Sequence, residues 1–127
     1  MTSVVLDTSA VIAFLRKEPG ADLVAPMLLG ARLSTVNYCE IIGKAKDINI
    51  AHDIAASTLA RLGLETVPFE ETHALAAAGL RESTRSLGLS LADRACLALG
   101  QLLDCPVFTA DRRWKDAAIG IDVRLIR

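Results

Sequence analysis

Short apolar runs alternate along this chain with longer stretches of helical spacing, and turn-forming residues separate the two. Ser3-Val4-Val5-Leu6 reads as a buried strand, residues 32–35 and 106–109 as two more, and Val123 to Ile126 as a last one. Glu65 to Phe69 reads as a further extended segment. Between them the spacing predicts helices from Ser9 to about Lys17, ended by Pro19-Gly20, and from Ala21 to Leu29, closed by Gly30. Two more follow from Val36 to about Lys46 and from Ile50 to Leu62, the second with Gly63 as its C-cap. An Ala-rich helix is expected from Glu71 to about Ser86, before the break at Gly88. Ser90 then caps a helix from Leu91 to Leu103, and Arg112 to Ala117 forms a short one. Such alternation predicts an α/β fold: a mainly parallel central sheet of four to five strands with helices on both faces. No repeat, low-complexity tract or linker interrupts the pattern, so 1–127 reads as a single domain.

Composition narrows the class. At 127 residues, with 52% hydrophobic and 4% aromatic residues, the chain builds an Ala/Leu-rich core, and disorder is excluded. No apolar run approaches the roughly 18 residues of a membrane span. No cationic segment precedes the apolar stretch Ala10 to Leu15, so no signal peptide is expected either. The expected location is the cytoplasm. A net charge of −1 neither supports nor excludes a nucleic-acid substrate, because a divalent ion on acidic side chains reverses the local sign that a phosphate meets. Cys39, Cys96 and Cys105 are odd in number and form no C-x-x-C pair; they read as buried thiols of a reducing compartment.

The chemistry-bearing feature is a set of four acids, each near a handover into a helix. Asp7 closes the first strand, and Glu40 lies about a turn into the segment after residues 32–35. Asp93 follows Leu89-Ser90-Leu91-Ala92, and Asp111 follows Pro106-Val107-Phe108-Thr109-Ala110. Taken singly, each is explained by helix capping: Ser90 to Asp93 and Asn37 to Glu40 both fit a capping box, and Asp7 and Asp111 fit plain N-caps. Taken together, they fall where a parallel sheet gathers its ligands, outside the carboxyl ends of the strands. Oxygen donors converging there suit Mg²⁺ or Mn²⁺ and phosphodiester hydrolysis. Both readings stand on spacing alone.

Rival chemistries find little support. There is no phosphate-binding G-x-x-x-x-G-K-[ST] loop, no G-x-G-x-x-G turn and no G-x-S-x-G elbow. His52 and His73 fall outside the acidic segments and read as surface or packing residues. Asp7-Thr8-Ser9 leaves an aspartyl-phosphate enzyme open, weakened by the lack of a second Asp two residues on. Basic residues flank the acids: Arg16-Lys17, Arg94, Arg112-Arg113 and Lys115. Arg94 and Arg112 each adjoin a candidate ligand and are candidates for holding substrate phosphate; otherwise they are solvated helix surface. Trp114 either packs the short helix against the core or stacks on a base.

The motifs in combination resemble those of PIN-domain ribonucleases. Val5-Leu6-Asp7-Thr8-Ser9-Ala10 is similar to their opening, and Leu33 to Ile41 to their second acidic segment. Leu89 to Leu99 is similar to the third, departing from it at Ala92, where glycine is common, and Val107 to Trp114 to the fourth. The ending Ile121 to Arg127 resembles the terminal strand of the VapC-type toxins within that family. The resemblance implies a PIN-like three-layer sandwich and metal-dependent endoribonuclease activity. It implies metal ligands and catalytic roles at Asp7, Glu40 and Asp93, with Asp111 as a fourth acid. Ser9 and Thr109 match hydroxyl positions that steady the acids. It further implies Mg²⁺ (or Mn²⁺) as cofactor, RNA as substrate, a cognate antitoxin as partner and a homodimer. A housekeeping PIN ribonuclease without an antitoxin and an inactive PIN-like binding module are the alternatives. The four acids count against the second of these, since a binding module does not need them.

Overall fold

In the computed structural model, which describes residues 3–116 and 119–127, five strands form one all-parallel sheet. The strands are β1 (Val5–Leu6), β2 (Arg32–Ser34), β3 (Glu65–Val67), β4 (Val107–Thr109) and β5 (Val123–Leu125), in the spatial order β3-β2-β1-β4-β5. Each core lies where the sequence pattern puts it. Successive residues of a strand point to opposite faces, so Val5, Val107 and Val123, paired in register, feed one core, and Leu6, Leu33 and Phe108 feed the other. The first core is completed by Trp114, Cys96, Leu97 and Leu99, the second by Ala10, Val11, Val24, Ile41 and Leu59. Helices therefore cover both faces, as expected.

The helices are α1 (Thr8–Leu15), α2 (Ala21–Val24), α3 (Thr35–Asp47), α4 (His52–Arg61), α5 (Glu71–Gly79), α6 (Arg81–Thr84) and α7 (Leu91–Leu103). Three depart from the sequence pattern. The segment expected as a helix from Ala21 to Leu29 is α2 followed by a 3₁₀ turn, Ala25–Met27, with Pro26 inside it. Helix α3 starts at Thr35, with Ser34 accepting the Val36 N–H, so Asn37 to Glu40 is helix interior and not a capping box. The Ala-rich helix of 71–86 is not continuous. Ser83 and Thr84 hydroxyls both donate to the Leu80 carbonyl, at 3.1 and 2.7 Å, and α6 gives way to a 3₁₀ turn, Arg85–Leu87. Side-chain hydroxyls that take a backbone acceptor compete with the helical ladder. The short helix after Asp111 is a 3₁₀ segment, Arg112–Asp116; its expected last residue, Ala117, lies outside the described residues.

Pro19-Gly20 ends the first helical stretch for a definite reason. Gly20 has φ of 100°, and a Cβ there would lie 2.7 Å from the Ile126 carbonyl oxygen, so the turn docks directly on the C-terminal segment. Of the thiols, Cys96 is buried but Cys39 is exposed, contrary to expectation, because it faces outward from α3 between the inward positions 37 and 41. Trp114 is fully buried in the first core, which excludes the stacking role. His73 packs edge-on against Phe69, the packing role expected for it.

Candidate metal and nuclease site

The chain enters the sheet at β1 in its centre, moves outward through β2 and β3, and returns to build β4 and β5 on the other side. The connections diverge between β1 and β4, and the crevice beyond their carboxyl ends is the position where open α/β sheets bind ligands. Asp7 follows β1 directly, and Thr109 ends β4 with Asp111 two residues on.

Asp7 is 4% exposed and is the N-cap of α1. Its described hydrogen bonds all fall on Oδ2: the Ser9 hydroxyl donates at 2.6 Å, the Thr109 hydroxyl at 2.9 Å and the Ser9 N–H at 3.4 Å. The Ser9 hydroxyl oxygen in turn accepts the Ala110 N–H, and that of Thr109 accepts the Asp111 N–H at 3.0 Å. Two hydroxyls thereby knit the ends of β1 and β4 together around one carboxylate. Burial raises the Asp7 pKa from 3.8 to about 6; the hydroxyls pull it down, and the Asp93 carboxylate adds to the rise.

Asp93 forms the capping box expected of it. Its Oδ2 accepts the Ser90 N–H at 2.8 Å, and its own N–H donates to Ser90 Oγ at 3.1 Å. Asp111 Oδ1 accepts the Arg113 N–H at 3.0 Å, again a cap, while the Arg113 guanidinium clasps the carboxylate with its shortest contact at 2.6 Å. That clasp holds the Asp111 pKa below the usual carboxylate range. Capping is therefore real for three of the four acids. Glu40 is the exception: it sits in the second turn of α3, past any capping position, and is half-buried with no ion pair among the described residues.

The buried Cys96 lies within reach of three of the acids: its thiol is pushed up first by burial and then by the charges of Asp7, Asp93 and Glu40 in turn. Asp111 is not among them. Asp111 joins the cluster through its backbone, its N–H donating to the Thr109 hydroxyl that bonds Asp7, while its carboxylate is turned toward Arg113. Among the described residues, no three Asp, Glu, His or Cys side chains stand closely enough to hold a metal ion together as they are oriented. The donor chemistry nevertheless fits a hard divalent cation. The three acids offer only oxygen, and Asp7 is a desolvated carboxylate within reach of the Asp93 charge, which a cation would offset.

Two residues have roles here that the sequence reading did not give them. Asn37 is fully buried, and its Nδ2 donates to Thr8 Oγ1 at 3.1 Å and to the Ala92 carbonyl at 3.3 Å. Thr8 follows Asp7 and Ala92 precedes Asp93, so one amide ties together the helix starts that carry the two acids. Its signal was available: Asn37, Ile41 and Ala45 share one helix face, which puts a polar group on an otherwise apolar stripe. The other is Arg113, which also donates to the Leu87 carbonyl at 2.9 Å. The neighbouring candidate Arg112 is exposed, while Arg94 is half-buried and donates to the Ala77 carbonyl at 3.1 Å.

Residues 4–120 match the PIN domain family, and the chain belongs to that family. Among solved structures it is similar to a toxin–antitoxin complex from Klebsiella pneumoniae, with 20% identity, 98% of each chain covered and a TM-score of 0.74. It is also similar to DNA-bound VapBC from Salmonella typhimurium, at 16% identity over 100% of both chains and a TM-score of 0.74. FitAcB from Neisseria gonorrhoeae is 25% identical, covering 98% of this chain and 96% of that one, with a TM-score of 0.67. Comparison with curated protein sequences finds no match.

Proposed function

We propose that this chain is a Mg²⁺- or Mn²⁺-dependent endoribonuclease and the VapC-type toxin of a type II toxin–antitoxin pair. The observation that carries the reading is the buried Asp7 carboxylate, held by Ser9 and Thr109 at the end of the central strands, with Asp93 and Glu40 close by. In this reading Asp7, Glu40 and Asp93 hold the metal and Asp111 serves as a fourth acid. Bound there, a divalent ion supplies Lewis acidity at the phosphoryl oxygen and lowers the pKa of a water. Ser9 and Thr109 keep Asp7 Oδ2 occupied and fix the carboxylate's orientation. Asn37 keeps Asp7 and Asp93 in a constant relation. Arg94 and Arg112 belong to the same reading as the residues that would meet substrate phosphate, whose charge a guanidinium neutralises.

The toxin part of the reading draws on a second feature. An apolar groove of about 210 Å³ runs between α1, α3 and α4, lined by Ile12, Leu15, Ile41, Ile48, Ile50 and Leu59. Leu15 and Ile48 remain 36% and 42% exposed beside it. Its proposed occupant is the C-terminal tail of a small antitoxin that folds as it docks; the similar Klebsiella structure is of a toxin–antitoxin complex. Homodimerisation belongs to the same reading and is tested by light scattering. Where the chain acts follows from its partners; none of its described helices is long and apolar enough to cross a membrane.

The deciding experiment is cleavage of RNA with Mg²⁺ or Mn²⁺ by the wild type, Asp7→Asn and Asp93→Asn. The expected result is metal-dependent cleavage lost in both variants. Full activity in either variant, or in excess EDTA, would remove the metal-nuclease reading. Turnover of small phosphomonoesters with phosphate trapped on Asp7 would favour the phosphatase instead.

A further inference from the structure

The break after α5 has a chemical consequence. Helix α6 and the 3₁₀ turn behind it fold back toward the start of α7, and Arg81 and Arg85, four residues apart, fall on one side of that bend. Together with Arg94 from the first turn of α7 and the half-buried Leu89, they line a single cleft of about 400 Å³. Among the described residues, none of these three arginines is in an ion pair, as is also true of Arg61 and Arg112, which do not line the cleft. In a chain of net charge −1, three guanidinium groups around one opening reverse the local sign. The Arg94 side chain is also held in place by its hydrogen bond to the Ala77 carbonyl.

We infer that Arg81, Arg85 and Arg94 form a phosphate-gripping cleft that binds the single-stranded RNA backbone flanking the scissile bond. This rests on the nuclease reading above and adds two residues to it. The chemistry is specific in kind. Guanidinium groups present planar forks of N–H donors that match phosphate oxygens, and they stay charged at any relevant pH. The position is suggestive too, because Arg94 and Asp93 share the first turn of α7, although their side chains leave it in different directions. A strand whose cleaved phosphodiester lies at the acids must run its neighbouring phosphates past that helix start. A cationic cleft on that helix supplies the charge that a polyanion's flanking phosphates need. Arg81 and Arg85 carry no part of the metal site, so their effect falls on binding.

The test uses fluorescence anisotropy of a labelled single-stranded RNA with the full chain carrying Asp7→Asn, which removes turnover. Adding Arg81→Gln and Arg85→Gln should weaken binding about ten-fold or more at moderate salt. It should also flatten the slope of log K against log salt by roughly 1.4, about 0.7 for each phosphate no longer neutralised. Arg81→Lys with Arg85→Lys should recover much of the salt slope, and unchanged melting curves would exclude misfolding. With Asp7 intact, the Gln pair should lower kcat/KM through KM. An unchanged affinity and salt slope overturns the cleft, even if the wild type cleaves RNA. If the Gln pair weakens RNA binding but the wild type cleaves no RNA, the cleft stands and the nuclease reading fails.

Discussion

Replacing Asp7 by Asn probes the electrostatics of the site without removing its shape. Asn is as good an N-cap as Asp, and its carboxamide oxygen can accept the Ser9 and Thr109 hydroxyls. What changes is the charge. In the folded chain burial lifts the Asp7 pKa from 3.8 to about 6, so the folded state holds its proton more tightly than the unfolded chain. The ionised group therefore opposes folding. That opposition is fully present above about pH 6, shrinks as pH falls, and is gone below about pH 4. The displacement corresponds to about 3 kcal/mol at neutral pH. Allowing for the weaker hydrogen bonds of a neutral amide, the expected gain from Asp7→Asn is about 1–3 kcal/mol. At roughly 4 °C per kcal/mol for a chain of this size, the variant should melt about 4–12 °C higher near pH 8 in EDTA. Near pH 4 the two proteins should coincide. Thermal or urea unfolding across that range measures it. A variant no more stable than wild type at the upper end, or a difference indifferent to pH, would refute the desolvated-carboxylate argument.

Other substitutions isolate the supporting contacts. Asn37→Ala removes the amide that joins Thr8 to Ala92; urea unfolding should show a loss of about 1–3 kcal/mol, and RNA cleavage should fall through kcat rather than KM. Thr109→Val deletes the hydroxyl that donates to Asp7 and accepts from Asp111; the Asp7 pKa, read by carboxyl NMR, should rise above the wild-type value. Gly100→Ala places a Cβ against Val107 and the Cys105 carbonyl oxygen where α7 meets β4, and overpacking there should cost about 1–3 kcal/mol in denaturation.

The strands and the positions of the acids were legible because they follow from local pattern. Val107-Phe108-Thr109 is buried at every position because both faces of the strand are covered, and Ser90 with Asp93 caps α7 as its spacing requires. What spacing could not reveal was choice among partners. Nothing in a string of Ala, Glu and Ser says that Ser83 and Thr84 will take the Leu80 carbonyl and end the helix. Nor does the pair Arg112-Arg113 announce which guanidinium turns back onto Asp111. Asn37 was misread because a capping pattern is satisfied by residue type alone, whereas its actual partners lie 29 and 55 residues away in the chain. Burial of Trp114 likewise depends on a core assembled from distant strands.

The acids on β1 and β4 hang from the middle of the sheet, while the three-residue strands β3 and β5 guard its margins. Fraying begins at such margins, where few neighbours oppose it. A tug on either flank would loosen the borders first and leave the Asp7 cluster at the centre assembled. Whatever acts on that cluster must then reach the centre, since disturbing the periphery does not.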